Sequence, residues 1–227
     1  MTRFKITLFV SVSLALASVA GSMTGTADSQ ANAPENMTLP SPDRSGGMTL
    51  NQALAARRSV REFSGERLSP AQLSQLLWAA QGITDSSGHR TAPSAGAKYP
   101  LELYVLLPEG LYHYVAKNHQ LVKTVDGDLH KPLAEAALAQ ESIFKAPAVF
   151  VISAVSARTQ VRYGPDRTPR YVAMEAGHAA QNLLLQAVAL GLGAVPVGAF
   201  KDDGVHKVLS LPADEAPLYL IPVGKPR

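Results

Sequence analysis

Arg57-Arg58-Ser59-Val60-Arg61 places three guanidiniums and a hydroxyl within five residues. Such a set can grip a phosphate through forked, charge-assisted hydrogen bonds, and a guanidinium can steady the edge of an electron-rich ring. The run closes a short amphipathic stretch in which Leu50, Ala53, Leu54 and Ala56 recur at helical spacing. A basic helix end also complements the macrodipole with no ligand at all. Taken alone, the run therefore supports two readings, an anion grip and a solvated helix terminus.

Other segments carry related chemistry. The loop His89–Pro100 (HRTAPSAGAKYP) and the tail Lys225-Pro226-Arg227 both combine basic side chains with small residues or proline. Gly191 to Gly198 (GLGAVPVG) brings small residues and backbone amides together, as a segment lying against a flat ligand edge requires. These glycines follow a helix pattern rather than a strand, the wrong context for a dinucleotide fingerprint. Ser94 lies in a loop, not in a strand-to-helix elbow, which argues against a serine hydrolase. Glu175-x-x-His178 has the spacing of half a di-iron carboxylate site, but no second copy exists. The remaining histidines show no ligand spacing, so no metal is expected.

Composition narrows the classes further. The 227 residues are 46% hydrophobic and 17% charged, which fits one globular domain. The absence of cysteine excludes disulfides, thiolate metal sites, a cysteine nucleophile and a lipoprotein anchor. The formal charge is +3, and two of the basic residues, Arg3 and Lys5, sit in a leader, so no nucleic-acid partner is expected. Residues 1–20 read as a secretory signal, with Arg3 and Lys5 before an apolar run and Ser18-Val19-Ala20 before a cut. The expected location is periplasmic or secreted, with a membrane anchor as the alternative if the leader stays uncleaved. No twin-arginine pair occurs in the leader. Residues 21–48 read as a flexible linker outside the fold.

The elements that must position these groups follow. Thr49 or Asn51 caps a first helix. Ser69-Pro70 opens a second, which Gly82 ends. Leu101–Leu107 and Leu111–Ala116 read as strands, Pro132–Gln140 as helix, and Ala148–Val155 as a buried strand. Arg170–Leu190 is the longest helix pattern, and Leu218–Val223 is a last strand. Glu175, His178, Asn182 and Gln186 share one arc of that long helix. The arc reads as paired buried groups rather than a catalytic centre. Because the rest of the helix is apolar almost all round, a core position or a subunit interface is expected for it. Helices and strands mix without βα alternation, so the fold class is α+β.

In their order and spacing, four segments resemble the nitroreductase superfamily of FMN flavoproteins, and within it the SagB-type (thiazole/oxazole-forming) dehydrogenases. They are RRSVREF at 57–63, RTAPSAGAKYPLELYVL at 90–106, RYVAMEAGHAAQNLLLQAVALGLGAVPVGAF at 170–200 and LIPVGKPR at 220–227. The resemblance covers residues 49–227. It implies an α+β sandwich forming an intertwined homodimer with FMN at the subunit interface. It further implies that Arg57 and Ser59 meet the FMN phosphate and ribityl chain, with Arg58 as companion, and that Arg61 approaches the N1/C2 edge. Pro93, Ser94, Ala95 and Gly96 are implied to reach the ring from the partner subunit. Val197 and Gly198 are implied to face the N5/O4 edge, and Lys225 and Arg227 to close on the phosphate. The implied activity is ping-pong hydride transfer from a small-molecule donor to nitroaromatic or quinone-like acceptors.

One departure concerns the azoline-oxidising members, which usually carry a Lys-Tyr pair where this chain has Arg162-Tyr163. Arginine stays protonated and makes a poor general base, which leaves Tyr163 as the candidate catalytic group. Azoline oxidation is the runner-up activity. A non-catalytic flavin- or partner-binding module on the same scaffold is the rival of a different class.

Overall fold

The computed structural model describes Met1 and residues 36–227; the leader and linker residues 2–35 lie outside them. Strand β1 (Asn36–Thr38) precedes helices α1 (Leu50–Ala56) and α2 (Pro70–Gln81). Strands β2 (Leu101–Leu107), β3 (Gly110–Val115) and β4 (Gln120–Asp126) form a meander, followed by α3 (His130–Ala136) and α4 (Glu141–Lys145). Then come β5 (Ala148–Ala154), the long α5 (Ala157–Ala189), β6 (Gly193–Ala194), α6 (Asp202–Val208) and β7 (Ala216–Gly224).

The strands form one sheet in the order β1-β4-β3-β2-β5-β7-β6, and every adjacent pair is antiparallel. Side-chain alternation sorts the sheet into two cores. On one face Leu101, Leu103, Val105, Phe150, Ile152 and Ile221 meet α2 and α5. On the other, Tyr104, Leu106, Val149, Val151 and Leu220 meet α3, α4 and α6. All seven residues of β5 are buried because helices cover both of its faces. Its uninterrupted apolar run follows from that position, even though its neighbours are antiparallel.

Two capping boxes fix the helices that lead into the site. Thr49, not Asn51, caps α1, because Gln52 at N3 can answer it, and Ser69 with Gln72 does the same for α2. The linker expected over 21–48 is corrected at its C-terminal end. Residues 36–38 pair with β4, Leu39 is buried, and the Ser74 hydroxyl donates to the Pro40 carbonyl at 2.6 Å. An edge strand of three residues has too little pattern to read, and its order comes from β4 and α2.

Helix α5 begins thirteen residues before the expected Arg170, at Ala157. It is interrupted at Gly164, whose φ of 74° and ψ of 170° start a second segment with Pro165 as its first residue. One face of α5 packs on the sheet, while Met174 is 56% exposed.

Candidate functional site

The Arg57–Arg61 run leaves the C-terminal end of α1 and is stitched down by main-chain bonds. Val60 N–H donates to Ala194 O at 3.0 Å, and Ser59 bridges Ala194. Ser64 N–H donates to Lys225 O at 2.9 Å and Arg227 N–H to Glu62 O at 3.3 Å. Two glycines permit this close approach. A Cβ on Gly193 would lie 2.6 Å from the Val60 Cβ, and one on Gly224 3.0 Å from the Phe63 Cβ. The structure thus brings together three of the sequence-derived groups: the Arg57–Arg61 run, the small-residue segment after α5 and the Lys225–Arg227 tail.

Their side chains divide. Among the described residues, the guanidiniums of Arg57, Arg61 and Arg227 make no hydrogen bond or ion pair, and Ser59 Oγ is likewise uncommitted. Arg58 differs: its Nη1 donates to the carbonyls of Ala55 at 3.0 Å and Arg57 at 2.7 Å. The helix-end reading holds for Arg58, because the last carbonyls of α1 need donors. Lys225 Nζ pairs with Glu66 at 2.9 Å on the surface.

Val197 and Gly198 follow β6. Val197 exchanges both main-chain bonds with Leu220, at 2.8 and 3.0 Å. Its N–H and its carbonyl are therefore both spent on β7. Gly198 is exposed, and nothing lies within 4 Å of where its Cβ would be. Any close approach by a ligand edge in this segment falls to Gly198.

The Pro93–Gly96 loop is built differently. Ser94 Oγ accepts from Tyr99 N–H at 2.8 Å, and Ala97 N–H donates to Ser94 O at 3.0 Å. Gly96, Ala97 and Tyr99 all take left-handed backbone, with φ of 60°, 52° and 46°. Gly96 packs so closely on Arg162 and Tyr163 that a Cβ would sit 2.8 Å from the Tyr163 hydroxyl. The Tyr163 ring stands edge-on to Tyr171 at 4.8 Å. Pro93–Gly96 and Arg162-Tyr163, separate in sequence, are neighbours in one chain.

Below this loop lies a charged cluster that the sequence reading passed over. Arg90 Nη1 donates to Gln81 Oε1 at 2.8 Å, and its guanidinium lies 4.8 Å from the centre of the Tyr99 ring. Glu102 pairs with His113 at 2.7 Å and with Arg158 at 2.5 Å. Burial pushes the Glu102 carboxyl up, but the His113 and Arg158 hydrogen bonds outweigh it and hold the group below its ordinary value. The signal was a lone charge in the apolar strand Leu101–Leu107. The polar arc on α5, expected as paired buried groups, is paired only at its two half-buried members. Asn182 donates to Thr91 O at 3.3 Å, and Gln186 accepts from Gln75 at 3.4 Å. Glu175 is buried and His178 is exposed, so the two do not converge.

One chain does not bring the two groups together. Val155 N–H donates to Pro100 O where β5 ends, and Leu101 pairs with Ala154, which pairs with Ala216 at the start of β7. Gly193 pairs with Gly224 at the other end of β7. A nine-residue strand spans about 26 Å at ~3.3 Å per residue.

Residues 54–225 match the model of the nitroreductase family. A Methanocaldococcus jannaschii protein named "putative nitroreductase" is 45% identical over 182 residues, covering 78% of this chain and 90% of that protein. A crystal structure of a Ralstonia eutropha JMP134 protein with the same description superposes with a TM-score of 0.77 at 34% identity, covering 86% of this chain and 94% of that one. The trifolitoxin-processing protein TfxB of Rhizobium leguminosarum bv. trifolii is 29% identical over 130 residues. That match covers 52% of this chain and 35% of TfxB, so the chain spans about a third of that protein.

Proposed function

The chain belongs to the nitroreductase family, and from that premise we propose that it is an FMN-dependent oxidoreductase working as a homodimer. The observation that carries the reading is the set of guanidiniums of Arg57, Arg61 and Arg227, unpartnered among the described residues and held on a backbone-locked edge beside the Ser59 hydroxyl. Unpaired cations on a rigid frame suit an anion, and the donor set fits a phosphate monoester. Hydrogen bonds to charged groups contribute about 1.5–3 kcal/mol each, so four of them supply roughly 6–12 kcal/mol before the costs of binding. Micromolar affinity needs about 8 kcal/mol.

In this reading Arg57, Ser59 and Arg227 hold the phosphate, joined by Lys225 when it leaves Glu66. Arg61 presents its charge to the N1/C2 edge, where positive charge favours the reduced, anionic ring. Gly198 admits the ring edge by lacking a side chain. The Pro93–Gly96 loop lies at the far end of the sheet from these residues, so the loop that completes the site comes from a second copy. The exposed apolar residues Leu50 (64%) and Leu54 (50%) on α1 and Met174 on α5 suit such a partner. Held by these residues, FMN would supply ping-pong hydride chemistry between a small-molecule donor and a nitroaromatic or quinone-like acceptor.

We also propose export, from the leader over residues 1–20. Nicotinamide donors are scarce outside the cytoplasm, so a quinol, thiol or protein donor serves there. The resemblance of the four segments to SagB-type dehydrogenases keeps azoline oxidation as a second reading. Against it stands Arg162, which cannot take the proton that such an oxidation releases. Tyr163, next to Gly96, is the remaining candidate for that proton.

The test is the visible spectrum of the purified full-length protein. A yellow flavin chromophore, present as isolated or after adding FMN, is expected. A colourless protein that takes up no FMN sinks the proposal. Bound flavin that no nicotinamide, quinol or thiol reduces, and that passes electrons to no acceptor, leaves the binding-module alternative in its place.

A further inference from the structure

The function above assigns no task to Arg158. Helix α5 opens with a short segment, residues 157–163, which Gly164 sets off from the core helix after it. Arg158 stands on this segment and forks. Its Nη1 donates to the Tyr99 carbonyl at 3.2 Å, and its Nη2 pairs with Glu102 Oε1 at 2.5 Å. The other Glu102 oxygen pairs with His113 Nε2 at 2.7 Å, which fixes the carboxylate that anchors the fork. One turn on, Arg162 lies against the Pro93–Gly96 loop, where a Cβ on Gly96 would sit 2.9 Å from the Arg162 Cδ. The Arg158 side chain is 41% exposed, and an ion pair with one partner this open to water adds little to global stability. Stability alone therefore does not account for the fork.

Its placement does. Tyr99 is the joint that the fork holds, and each polar group of Tyr99 is taken. Its N–H donates to Ser94 Oγ at 2.8 Å, its carbonyl accepts from Arg158, and its hydroxyl accepts from Arg90 N–H at 3.3 Å. The Arg90 guanidinium lies 4.8 Å from the centre of the Tyr99 ring and is itself tied to Gln81 on α2. On the far side, Pro100 is buried and its carbonyl accepts from Val155 N–H at 2.8 Å, so the chain is fixed to the sheet from there on. Tyr99 has a φ of 46°, although a bulky side chain and a following proline both favour extended backbone. Such a conformation persists only where its surroundings enforce it. The φ at this joint sets the direction in which the loop leaves the sheet.

We propose that Arg158 is a positioning residue for the flavin site: its fork between the Tyr99 carbonyl and Glu102 fixes the joint from which the Pro93–Gly96 backbone reaches the cofactor. The inference rests on the flavin reading. The link from fork to loop is continuous, from Arg158 to Tyr99 through the carbonyl and from Tyr99 to Ser94 through the N–H. A guanidinium serves both partners at once because its donors diverge in a rigid plane, whereas an ammonium is a point charge. The fork also explains why the apolar strand β2 carries one carboxylate, the fixed end on which Arg158 pulls.

The test uses the full-length, FMN-loaded protein and its Arg158→Met and Arg158→Lys variants. Arg158→Met keeps an apolar stem and removes every donor. It should weaken FMN binding about tenfold, as loss of an aligned contact does, and change the visible circular dichroism of the bound flavin. Arg158→Lys keeps the charge but not the fork, so it should still bind about fivefold more weakly than wild type and show the altered dichroism. If Arg158→Lys binds FMN with wild-type affinity and dichroism, charge near the site and not the fork is what counts, and the inference is overturned. If Arg158→Met lowers Tm but binds FMN with wild-type affinity and dichroism, Arg158 serves the fold alone and the inference is likewise overturned. Should Arg158→Met fail to fold, Arg158→Lys decides alone.

If the wild-type protein binds no FMN, the flavin reading fails and amide hydrogen exchange judges the fork by itself. Arg158→Met, or Arg158→Lys if that variant does not fold, should then speed exchange at Ala97, Lys98 and Tyr99 about tenfold, the signature of local opening, with α2 unchanged. Unchanged exchange at those three amides overturns the positioning role as well.

Discussion

At the β6 edge of the sheet, main-chain hydrogen bonds from Val60, Ser64 and Arg227 hold residues 59–64 in place, and the charged side chains stay free. At the start of β2 the relation is reversed. Half-buried side chains, Asn182 and Arg90 among them, pack against a backbone that is itself left-handed at three positions. The difference matches the demands on each region. An anion grip needs mobile cations on a fixed frame, whereas a surface for a flat ring needs a backbone fixed in a shape that it would not adopt alone.

The largest expected effect tests whether the two regions belong to one site. Arg57→Ala should weaken FMN binding by about 10- to 150-fold, the equivalent of one charge-assisted contact. Its Tm should stay at the wild-type value, because the Arg57 guanidinium makes no hydrogen bond or ion pair among the described residues. A subunit carrying Arg57→Ala/Arg61→Ala has lost the cationic half, and one carrying Gly96→Val has lost the loop half. Mixed dimers of the two should regain one intact site per dimer, read as flavin bound per dimer. Mixtures that bind no more flavin than either parent would falsify the split site.

Glu102 offers the next effect. His113 and Arg158 hold its carboxyl below the ordinary value of 4.5, so its charged form stabilises the folded state. That contribution is fully present above pH 4.5 and is lost as the pH falls through the lower folded value. Glu102→Gln should reduce unfolding free energy by about 1–3 kcal/mol at pH 7, the range for disturbing a buried hydrogen-bonded charge. The gap to wild type in denaturant titrations should close progressively below pH 4.5. A gap that is constant with pH would assign the loss to packing rather than charge.

How much of this contrast was legible in the sequence differs between the two ends. The Arg57–Arg61 run, the glycines after α5 and the Lys225–Arg227 tail were all found, because charge and glycine stand out locally. So were α1, α2, β2, β3, β5 and β7, each with a cap or an apolar pattern of its own. The bed of the loop was not found. Glu102, His113 and Arg158 come from three separate elements, and their pairing exists only after β2, β3 and α5 have met. Strand β4 was missed because its turn uses His119 at φ 47° instead of the glycine that usually marks one. Helix α6 was missed because Gly204 interrupts a seven-residue pattern. The pairing of Val197 with Leu220 on β7 was not legible either, because it joins residues 23 positions apart.

A third and smaller effect concerns strain at the loop. Gly96→Ala puts a Cβ in a left-handed position and 2.8 Å from the Tyr163 hydroxyl. The conformational part alone is worth about 1–2 kcal/mol. Adding Tyr163→Phe removes the oxygen in the way but leaves the backbone strained. The double variant should therefore recover part of the lost stability in urea titrations, and only part. Full recovery would mean that the φ at Gly96 relaxes freely, and that the loop is less constrained than its side-chain bed implies.

The smallest effect belongs to the cationic end. Lys225 is the one tail cation with a partner, and Glu66 holds it at 2.9 Å with both side chains more than half exposed. Exposed pairs of this kind contribute about 0.2–1 kcal/mol. Glu66→Gln releases Lys225 without touching the backbone frame, so FMN binding should tighten by no more than about fivefold. The gain should fade in high salt, because charges this exposed are screened over a few ångströms. Riboflavin lacks the phosphate, and its affinity should not change. If riboflavin gains as much as FMN, Lys225 acts on the ring and not on the phosphate. The division between a cationic end and a ring end would then fail at that residue. If neither gains, the frame keeps Lys225 from the ligand whether or not Glu66 is charged, and phosphate recognition rests on Arg57, Ser59 and Arg227.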